Sequence, residues 1–300
     1  MSVIERTVIT RDGVRLAVCD YGSRRAEHTV VLLHGLFLTQ ESWAGQIREL
    51  RRQWGQRVRV ISYDHRGHGR SDAAPMATYR VDQLADDLAD VLTAVGVTGS
   101  VTLAGHSMGG MTALAYLGRP VHERPVDPQG LVLVATASRR IAERGIGRLL
   151  DTPATEGLFE LVRRMPHRLI DRQLRGVARP LHAVVTRLAR RDSAAGVTAS
   201  ALRRPSLATA AGFFAGLKHY DQYASLASIT ADTVVLSGGA DRTTPAAHSV
   251  DMASAIPNAA HVHHEGAGHM LLQDAARCVN AALDRVMGLR AVAGCCAAAA

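Results

Sequence analysis

Aromatic residues and cysteines are scarce in this chain of 300 residues. Phe, Trp and Tyr together make up 4% of it, which argues against a surface that stacks on sugars or nucleic-acid bases. The four cysteines form no C-x-x-C pair and no regular spacing, so neither a structural zinc site nor a disulfide framework is indicated. No histidine group shows a metal-ligand pattern such as H-E-x-x-H. We therefore expect a reducing compartment and neither a metal nor another cofactor.

The chain also lacks a long apolar run. No stretch of about 18 uninterrupted apolar residues predicts a membrane span, and residues 1–18 do not form the continuous apolar segment of a secretory signal. These features favour a cytoplasmic location. The length and the hydrophobic content of 47% are typical of one large α/β unit with a sizeable core and an insertion.

Positive charge is concentrated in one part of the sequence. The net charge is +8, but residues 137–228 alone hold sixteen Arg and Lys against seven Asp and Glu. Arginine pairs in such a segment are typical of solvated helix faces, so we expect no nucleic-acid partner. Attraction of an anionic substrate or peripheral contact with an anionic membrane surface is the alternative.

Short apolar runs alternate with helical patterns along most of the chain. Two strand-like stretches on either side of Asp12-Gly13 predict an N-terminal antiparallel hairpin. Wholly apolar runs such as Val30–Leu33 and Leu131–Val134 are typical of strands covered by helices on both faces. Because strands and helices alternate, the sequence predicts an α/β fold with a mostly parallel sheet.

This alternation is interrupted in the second half of the chain. A segment of about a hundred residues contains helix-like stretches but no buried strand, and it is too long for a simple loop. We interpret it as a helical lid inserted before the penultimate strand. The predicted division is a core of residues 1–136 and 229–290, a lid of residues 137–228 and a flexible tail of residues 291–300.

One serine lies between a strand pattern and a helix pattern. Ser107 is the centre of Gly105-His106-Ser107-Met108-Gly109, which follows an apolar run and precedes a helical stretch. This is the G-x-S-x-G nucleophile elbow, a sharp turn that exposes the serine and requires small residues two positions before and after it. The pattern predicts a nucleophilic serine, and a glycine-rich structural turn is the alternative.

Two further motifs precede the elbow, namely His34-Gly35 and the turn Asp64–Ser71 with the sequence Asp-His-Arg-Gly-His-Gly-Arg-Ser. With these motifs in this order, the chain resembles the α/β-hydrolase fold superfamily, in its serine esterase and lipase branch. The resemblance extends from Ser2 to about Gly288, outside the lid. It implies the α/β-hydrolase fold and a catalytic acid and histidine that follow the serine in the chain.

A serine hydroxyl needs a base to take its proton and a carboxylate to orient that base. Asp241 follows the predicted strand Thr233–Ser237. It would therefore lie at the carboxyl ends of the parallel strands, where catalytic and binding residues of such sheets are found. His269 lies in a glycine-bearing loop before the closing helix and matches the family position of the base. The alternatives are a helix-capping aspartate and a capping or exposed histidine.

The other histidines near these motifs receive structural interpretations. We expect His34 and His106, which adjoin the key turns, to orient those turns rather than to act as the base. His261, His263 and His264 lie on or at the end of the last predicted strand and are interpreted as sheet residues.

The resemblance also implies an oxyanion hole and a substrate pocket. The backbone N–H groups of Leu36 and Met108 are the implied donors, with Phe37 as the alternative to Leu36. Apolar side chains near the elbow and in the lid are candidates for an acyl pocket, although the lid residues are equally compatible with packing inside the lid. These candidates are Phe37, Phe213, Phe214 and Leu217.

A serine at the elbow favours an acyl-enzyme, because the dehalogenases and epoxide hydrolases of this fold use an aspartate there. We predict hydrolysis of a carboxylic ester, of a lipid-like or other small acyl compound, through an acyl-enzyme on Ser107. C–C bond hydrolases, thioesterases and cofactor-free haloperoxidases share these motifs and remain alternatives. A ligand receptor that keeps the fold is the non-enzymatic alternative, and the sequence does not specify the oligomeric state.

Overall fold

The computed structural model describes residues 3–143 and 207–289, and its centre is a sheet of eight strands. The strands are β1 Val3–Ile9, β2 Arg15–Tyr21, β3 His28–Leu33, β4 Val58–Tyr63, β5 Ser100–His106, β6 Gly130–Val134, β7 Asp232–Gly238 and β8 Ala259–His264. Their order across the sheet is β1-β2-β4-β3-β5-β6-β7-β8. β2 pairs antiparallel with β1 and β4, and all other pairs in the described sheet are parallel. The predicted hairpin and mostly parallel sheet are confirmed.

Helices cover both faces of this sheet. They are α1 Ala44–Trp54, α2 Val81–Ala94, α3 Met108–Leu117, α4 Leu207–Lys218, α5 Ala246–Ala255, α6 Leu271–Asp274 and α7 Ala276–Met287. Short 3-10 turns occupy Gln40–Trp43, Gly55–Arg57, Met76–Thr78, Val121–Glu123, Ile141–Glu143 and Tyr223–Ser228. The single closing helix expected from the sequence is two helices, because Ala275 has a non-helical backbone with φ −129° and ψ 40°. No helix within residues 3–143 and 207–289 is long and apolar enough to span a bilayer.

The predicted lid is described only at its two ends. Residues 144–206 of the lid and the predicted tail of residues 291–300 lie outside the described residues. The described C-terminal end of the lid contains α4, which leads back to β7. β7 is the penultimate strand, and it pairs in parallel with β6, the strand that precedes the lid.

The core consists of two apolar layers, one on each face of the sheet. All six residues of β3 are buried, as expected for a central parallel strand. Val31 and Leu33 belong to the layer covered by α2 and α3. Val30 and Leu32 belong to the layer covered by α1 and α7. The alternation of side chains along each strand therefore fills both layers and fixes the register of the sheet.

A buried ion pair holds the loop that follows β4. The Arg66 guanidinium is fully buried and donates to Asp87 on α2 and to Asp12 in the hairpin turn, with contacts of 2.7 and 2.8 Å. Close to it, the Asp64 carboxylate accepts the backbone N–H of Arg70 at 2.9 Å. Gly69, with φ +52°, packs directly on that carboxylate, where a Cβ would overlap it. The loop is thus fixed to both the hairpin and α2.

We predict that Arg66→Met lowers the free energy of unfolding by about 3–5 kcal/mol, because it leaves the Asp87 carboxylate buried without its cation. Arg52→Met is the matched control, since Arg52 pairs with Glu49 on the exposed surface of α1, and we expect a change below about 1 kcal/mol. Urea unfolding followed by tryptophan fluorescence measures the free energy of unfolding of both variants. Equal losses in the two variants would contradict the importance of the buried Arg66–Asp87 pair.

Candidate active site

Ser107 occupies a strained turn between β5 and α3. Its φ of +52° and ψ of −118° are unusual for a residue with a side chain. A Cβ on Gly105 would overlap the backbone of Gly109, and a Cβ on Gly109 would overlap the Leu33 carbonyl. Both neighbours therefore have to be glycine, and the strand–turn–helix geometry predicted from the motif is confirmed.

The neighbouring strand β6 supports this turn from the side. The Ser107 N–H donates to the Val134 carbonyl at 2.9 Å, and the Thr136 hydroxyl donates to the Ser107 carbonyl at 2.7 Å. Ala135, between them, has φ +47°. Sequence reasoning missed Thr136, because its contact with the elbow depends on the pairing of β5 with β6.

The structure brings Ser107, His269 and Asp241 together. The Ser107 hydroxyl lies 3.1 Å from His269 Nε2, within hydrogen-bond distance. On the other side of the ring, Nδ1–H donates to Asp241 Oδ2 at 2.9 Å. Ser107 is half-buried and retains solvent access. The three side chains form one chain of hydrogen bonds at the carboxyl ends of the parallel strands.

Donors surround the Asp241 carboxylate and keep it ionised. The backbone N–H groups of Thr243 and Thr244 donate to Oδ1 at 2.8 and 2.9 Å, and the Thr244 hydroxyl donates to Oδ2 at 2.9 Å. Burial by itself would raise the pKa of Asp241, but the His269 ring and these donors outweigh it, so the pKa lies below its usual range. Sequence reasoning missed Thr244, although an aspartate side chain often accepts backbone N–H groups a few residues later in such a turn.

The loop after β3 lies directly against the elbow. A Cβ on Gly35 would be 3.2 Å from the Ser107 Cβ, so the backbone at Gly35, the residue before Leu36, lies beside the nucleophile. Phe37 has φ +65° and continues the turn. Met108 is the first residue of α3, where a backbone N–H has no acceptor within the helix. The predicted oxyanion donors Leu36 and Met108 thus lie on the two segments that flank Ser107.

His34 holds the loop after β3 in place through hydrogen bonds. Its Nδ1–H donates to the Gly35 carbonyl at 2.8 Å, and its Nε2 accepts the backbone N–H of His65 at 2.9 Å. His65 Nε2–H in turn donates to the His34 carbonyl at 3.1 Å. These contacts give His34 the orienting position expected from the sequence.

The four predicted pocket residues fall into two groups. Phe37 and Phe214 are both partly buried, and their ring centroids are 5.7 Å apart. Phe213 and Leu217 are buried in the core layer of α2 and α3, with the Phe213 ring 5.1 Å from Tyr79. Phe213 and Leu217 therefore pack on the core layer, and Phe214 is partly buried against the same layer.

The remaining predicted histidines lie on the edge strand β8, as sheet residues. His261 and His263 share one face, and each has a ring nitrogen 2.8 Å from the Ser237 hydroxyl. In the part of the chain that the structure describes, no group of three or more His, Cys, Asp or Glu side chains is placed to hold a metal ion.

Comparisons with known proteins agree with this architecture. Residues 28–276 match the family described as alpha/beta hydrolase fold, and the chain therefore belongs to that family. A solved structure of a thermophilic esterase from Thermogutta terrifontis is similar to this chain with a TM-score of 0.66 and 26% identity. That similarity covers 95% of this chain and 97% of the esterase.

Curated proteins also match by sequence, among them a polyketide synthase and an esterase/perhydrolase. Polyketide synthase ThaQ of Burkholderia thailandensis is 35% identical over 258 residues, which cover 80% of this chain and 11% of the relative. The bifunctional esterase/perhydrolase DCH of Acinetobacter calcoaceticus is 34% identical over 130 residues, which cover 43% of this chain and 44% of the relative. The matched segments thus span about a tenth and under half of these relatives' lengths.

Several histidines are buried in the neutral form around this site. Burial lowers the pKa of His34 to about 4 and the pKa of His68 and His106 to about 3. Farther away, at the start of β3, burial also lowers the pKa of His28 to about 4. An unfolded chain binds these protons at a pKa near the ordinary 6.5. Between about pH 6.5 and 4 the unfolded state therefore holds more protons than the native state.

We predict that the free energy of unfolding falls as the pH is lowered from about 6.5 towards 4, by up to about 1.4 kcal/mol per pH unit for each such histidine. Urea unfolding at several pH values measures the slope. His28→Gln removes one titrating group, so the slope of its unfolding free energy against pH should be smaller by up to about 1.4 kcal/mol per pH unit. Identical slopes in the variant and the wild type would refute this origin of the acid sensitivity.

Proposed function

We propose that the protein is a serine hydrolase that cleaves a carboxylic ester of a small molecule through an acyl-enzyme on Ser107. The observation that carries this proposal is the continuous chain of hydrogen bonds from the Ser107 hydroxyl through His269 to Asp241, with distances of 3.1 and 2.9 Å. Few arrangements other than nucleophilic catalysis require an accessible serine, a histidine and a buried carboxylate in this order.

In the first half of the proposed reaction, His269 Nε2 takes the Ser107 proton while Oγ attacks the ester carbonyl. Asp241 stabilises the imidazolium that forms. The N–H groups of Leu36 and Met108 stabilise the negative charge on the carbonyl oxygen. The imidazolium then protonates the leaving alcohol, and the acyl group remains on Ser107. In the second half, His269 activates a water molecule that releases the acid and restores the hydroxyl.

The relatives support ester chemistry, since two of those reported above are named as esterases. The match to a polyketide synthase favours a second candidate for the acid part of the substrate, namely a polyketide acyl chain. That match covers 80% of this chain, which is more than the core segments alone contain, so it includes part of the predicted lid. The same residues would act on an ester or a thioester, because only the leaving atom differs.

A panel of substrates separates these possibilities. Esters of p-nitrophenol and thioesters of coenzyme A, graded by acyl length, give kcat/KM for each leaving group and each chain. A preference for esters supports the first proposal, and a preference for thioesters supports the thioesterase alternative. Halogenation and perhydrolysis assays test the haloperoxidase alternative.

A fluorophosphonate probe, followed by intact mass measurement, tests the nucleophile. We predict one covalent adduct on Ser107 in the wild type and none on Ser107→Ala. Both Ser107→Ala and His269→Ala should lower kcat/KM by about 10³-fold or more, because either change removes the activated nucleophile. An unlabelled, inactive wild type would instead favour a ligand receptor with this fold.

Asp241→Asn should retain weak activity, with kcat lowered by about 10²–10⁴-fold. The amide cannot stabilise the imidazolium, and it favours the wrong tautomer of His269. Steady-state kinetics on the best ester measures this loss. Thr243→Ala is the control, because Thr243 contributes only its backbone N–H to the carboxylate. Comparable losses in the two variants would contradict the assigned role of Asp241.

A further inference from the structure

The His106 side chain lies behind the Ser107–His269 pair and takes no part in the proton transfer described above. It immediately precedes Ser107, is 1% exposed, and its ring centroid is 5.0 Å from that of His269. His106 Nε2 is 2.8 Å from the His269 carbonyl oxygen. A carbonyl oxygen can only accept, so Nε2 carries the proton and donates it.

The other nitrogen of this ring faces the oxyanion loop, which is the loop that follows β3 and contains Gly35 and Leu36. In a neutral ring with Nε2–H, Nδ1 carries no proton. Within the described part of the chain, Nδ1 is buried without a hydrogen-bond partner. It packs against Gly35, where a Cβ would be 2.9 Å from it. One buried side chain therefore contacts three segments at once, namely the elbow, the loop of the base and the oxyanion loop.

The hydrogen bond from His106 acts on the backbone of the base. Asp241 holds the far end of the His269 ring, but it does not fix the peptide plane from which that ring projects. A donor on the His269 carbonyl fixes this plane, and with it the direction of the side chain towards Ser107. Because the ring of His106 is fully buried and neutral, it can donate without adding a positive charge beside the base.

We propose that His106 is a positioning residue, whose Nε2–H bond to the His269 carbonyl holds the imidazole within reach of Ser107. This inference rests on the proposed function. The ring also fills the space between the loop that contains His269 and the loop that contains Gly35. Misplacement of a reacting group by about 1 Å can lower a rate by about 10²-fold, so such a bond is kinetically important.

Three substitutions separate the hydrogen bond from the filling of space. His106→Phe keeps a ring but removes the donor. His106→Gln carries an amide N–H at about the reach of Nε2, whereas His106→Asn carries it at the shorter reach of Nδ1. His28→Phe is the matched control, because it removes another buried histidine that lies far from the candidate site. His28 is at the amino end of β3 and is hydrogen-bonded to Thr102.

The experiment measures kcat and KM on one p-nitrophenyl ester, the rate of fluorophosphonate labelling, and the melting temperature. We expect His106→Phe and His106→Asn to lower kcat and the labelling rate together by about 10–10²-fold, with KM changed less than about threefold. We expect kcat and the labelling rate of His106→Gln to be at least about tenfold higher than those of His106→Asn. His28→Phe should lower the melting temperature without changing kcat.

The outcomes are distinguishable from those of the parent proposal. A wild type that neither hydrolyses esters nor reacts with the probe overturns the proposed function, and this inference with it. An active wild type with unchanged kcat and labelling in His106→Phe overturns the inference alone. So does a His106→Gln variant that is as slow as His106→Asn, since the donor would then be irrelevant. If His106→Phe does not fold, the comparison of Gln with Asn still decides the question.

Discussion

The geometry of the candidate site depends on the close approach of backbones at the turn that contains Ser107. Gly109 packs on the Leu33 carbonyl and Gly105 packs on Gly109, with no room for a Cβ at either glycine. This contact places the first turn of α3 directly over β3, and Ser107 between them has φ +52° and ψ −118°, outside the regions that residues with side chains favour. A cost of about 1–3 kcal/mol for such a backbone is tolerated because the two apolar layers of the sheet fix both flanking elements.

Solvation distinguishes the proposed base from the other histidines around it. His34, His65, His68 and His106 are fully buried, and burial lowers their pKa values, so they act as neutral hydrogen-bonding groups. The His269 side chain retains 14% exposure and contacts a carboxylate. A neighbouring carboxylate stabilises the charged form of an imidazole, whereas full burial destabilises it. The environment therefore distinguishes His269, the proposed base, from these histidines.

Much of this arrangement was predictable from local sequence. The glycines around Ser107 define the turn by sterics alone, and the apolar runs define the buried strands. Asp241 and His269 required the order of motifs in the family, because nothing local connects residues that lie so far from Ser107 in the chain. The contacts of Thr136 and His106, and the burial of Phe213, were not predictable in detail, since each depends on how distant segments pack. The sequence of residues 144–206 contains helix-like stretches, but such a pattern does not specify how helices would pack.

The pairing of β6 with β7 has a consequence for how this molecule can be re-engineered. Val134 lies beside Leu236 in register, although about a hundred residues separate them in the chain. The intervening segment leaves the sheet at the carboxyl end of β6 and rejoins it at the amino end of β7, the adjacent parallel strand, so its exchange does not require any strand to be moved. We expect that substituting the corresponding segment of a relative leaves the strands next to Ser107 and Asp241 in place. Chimeric chains would therefore test whether the predicted lid determines substrate preference.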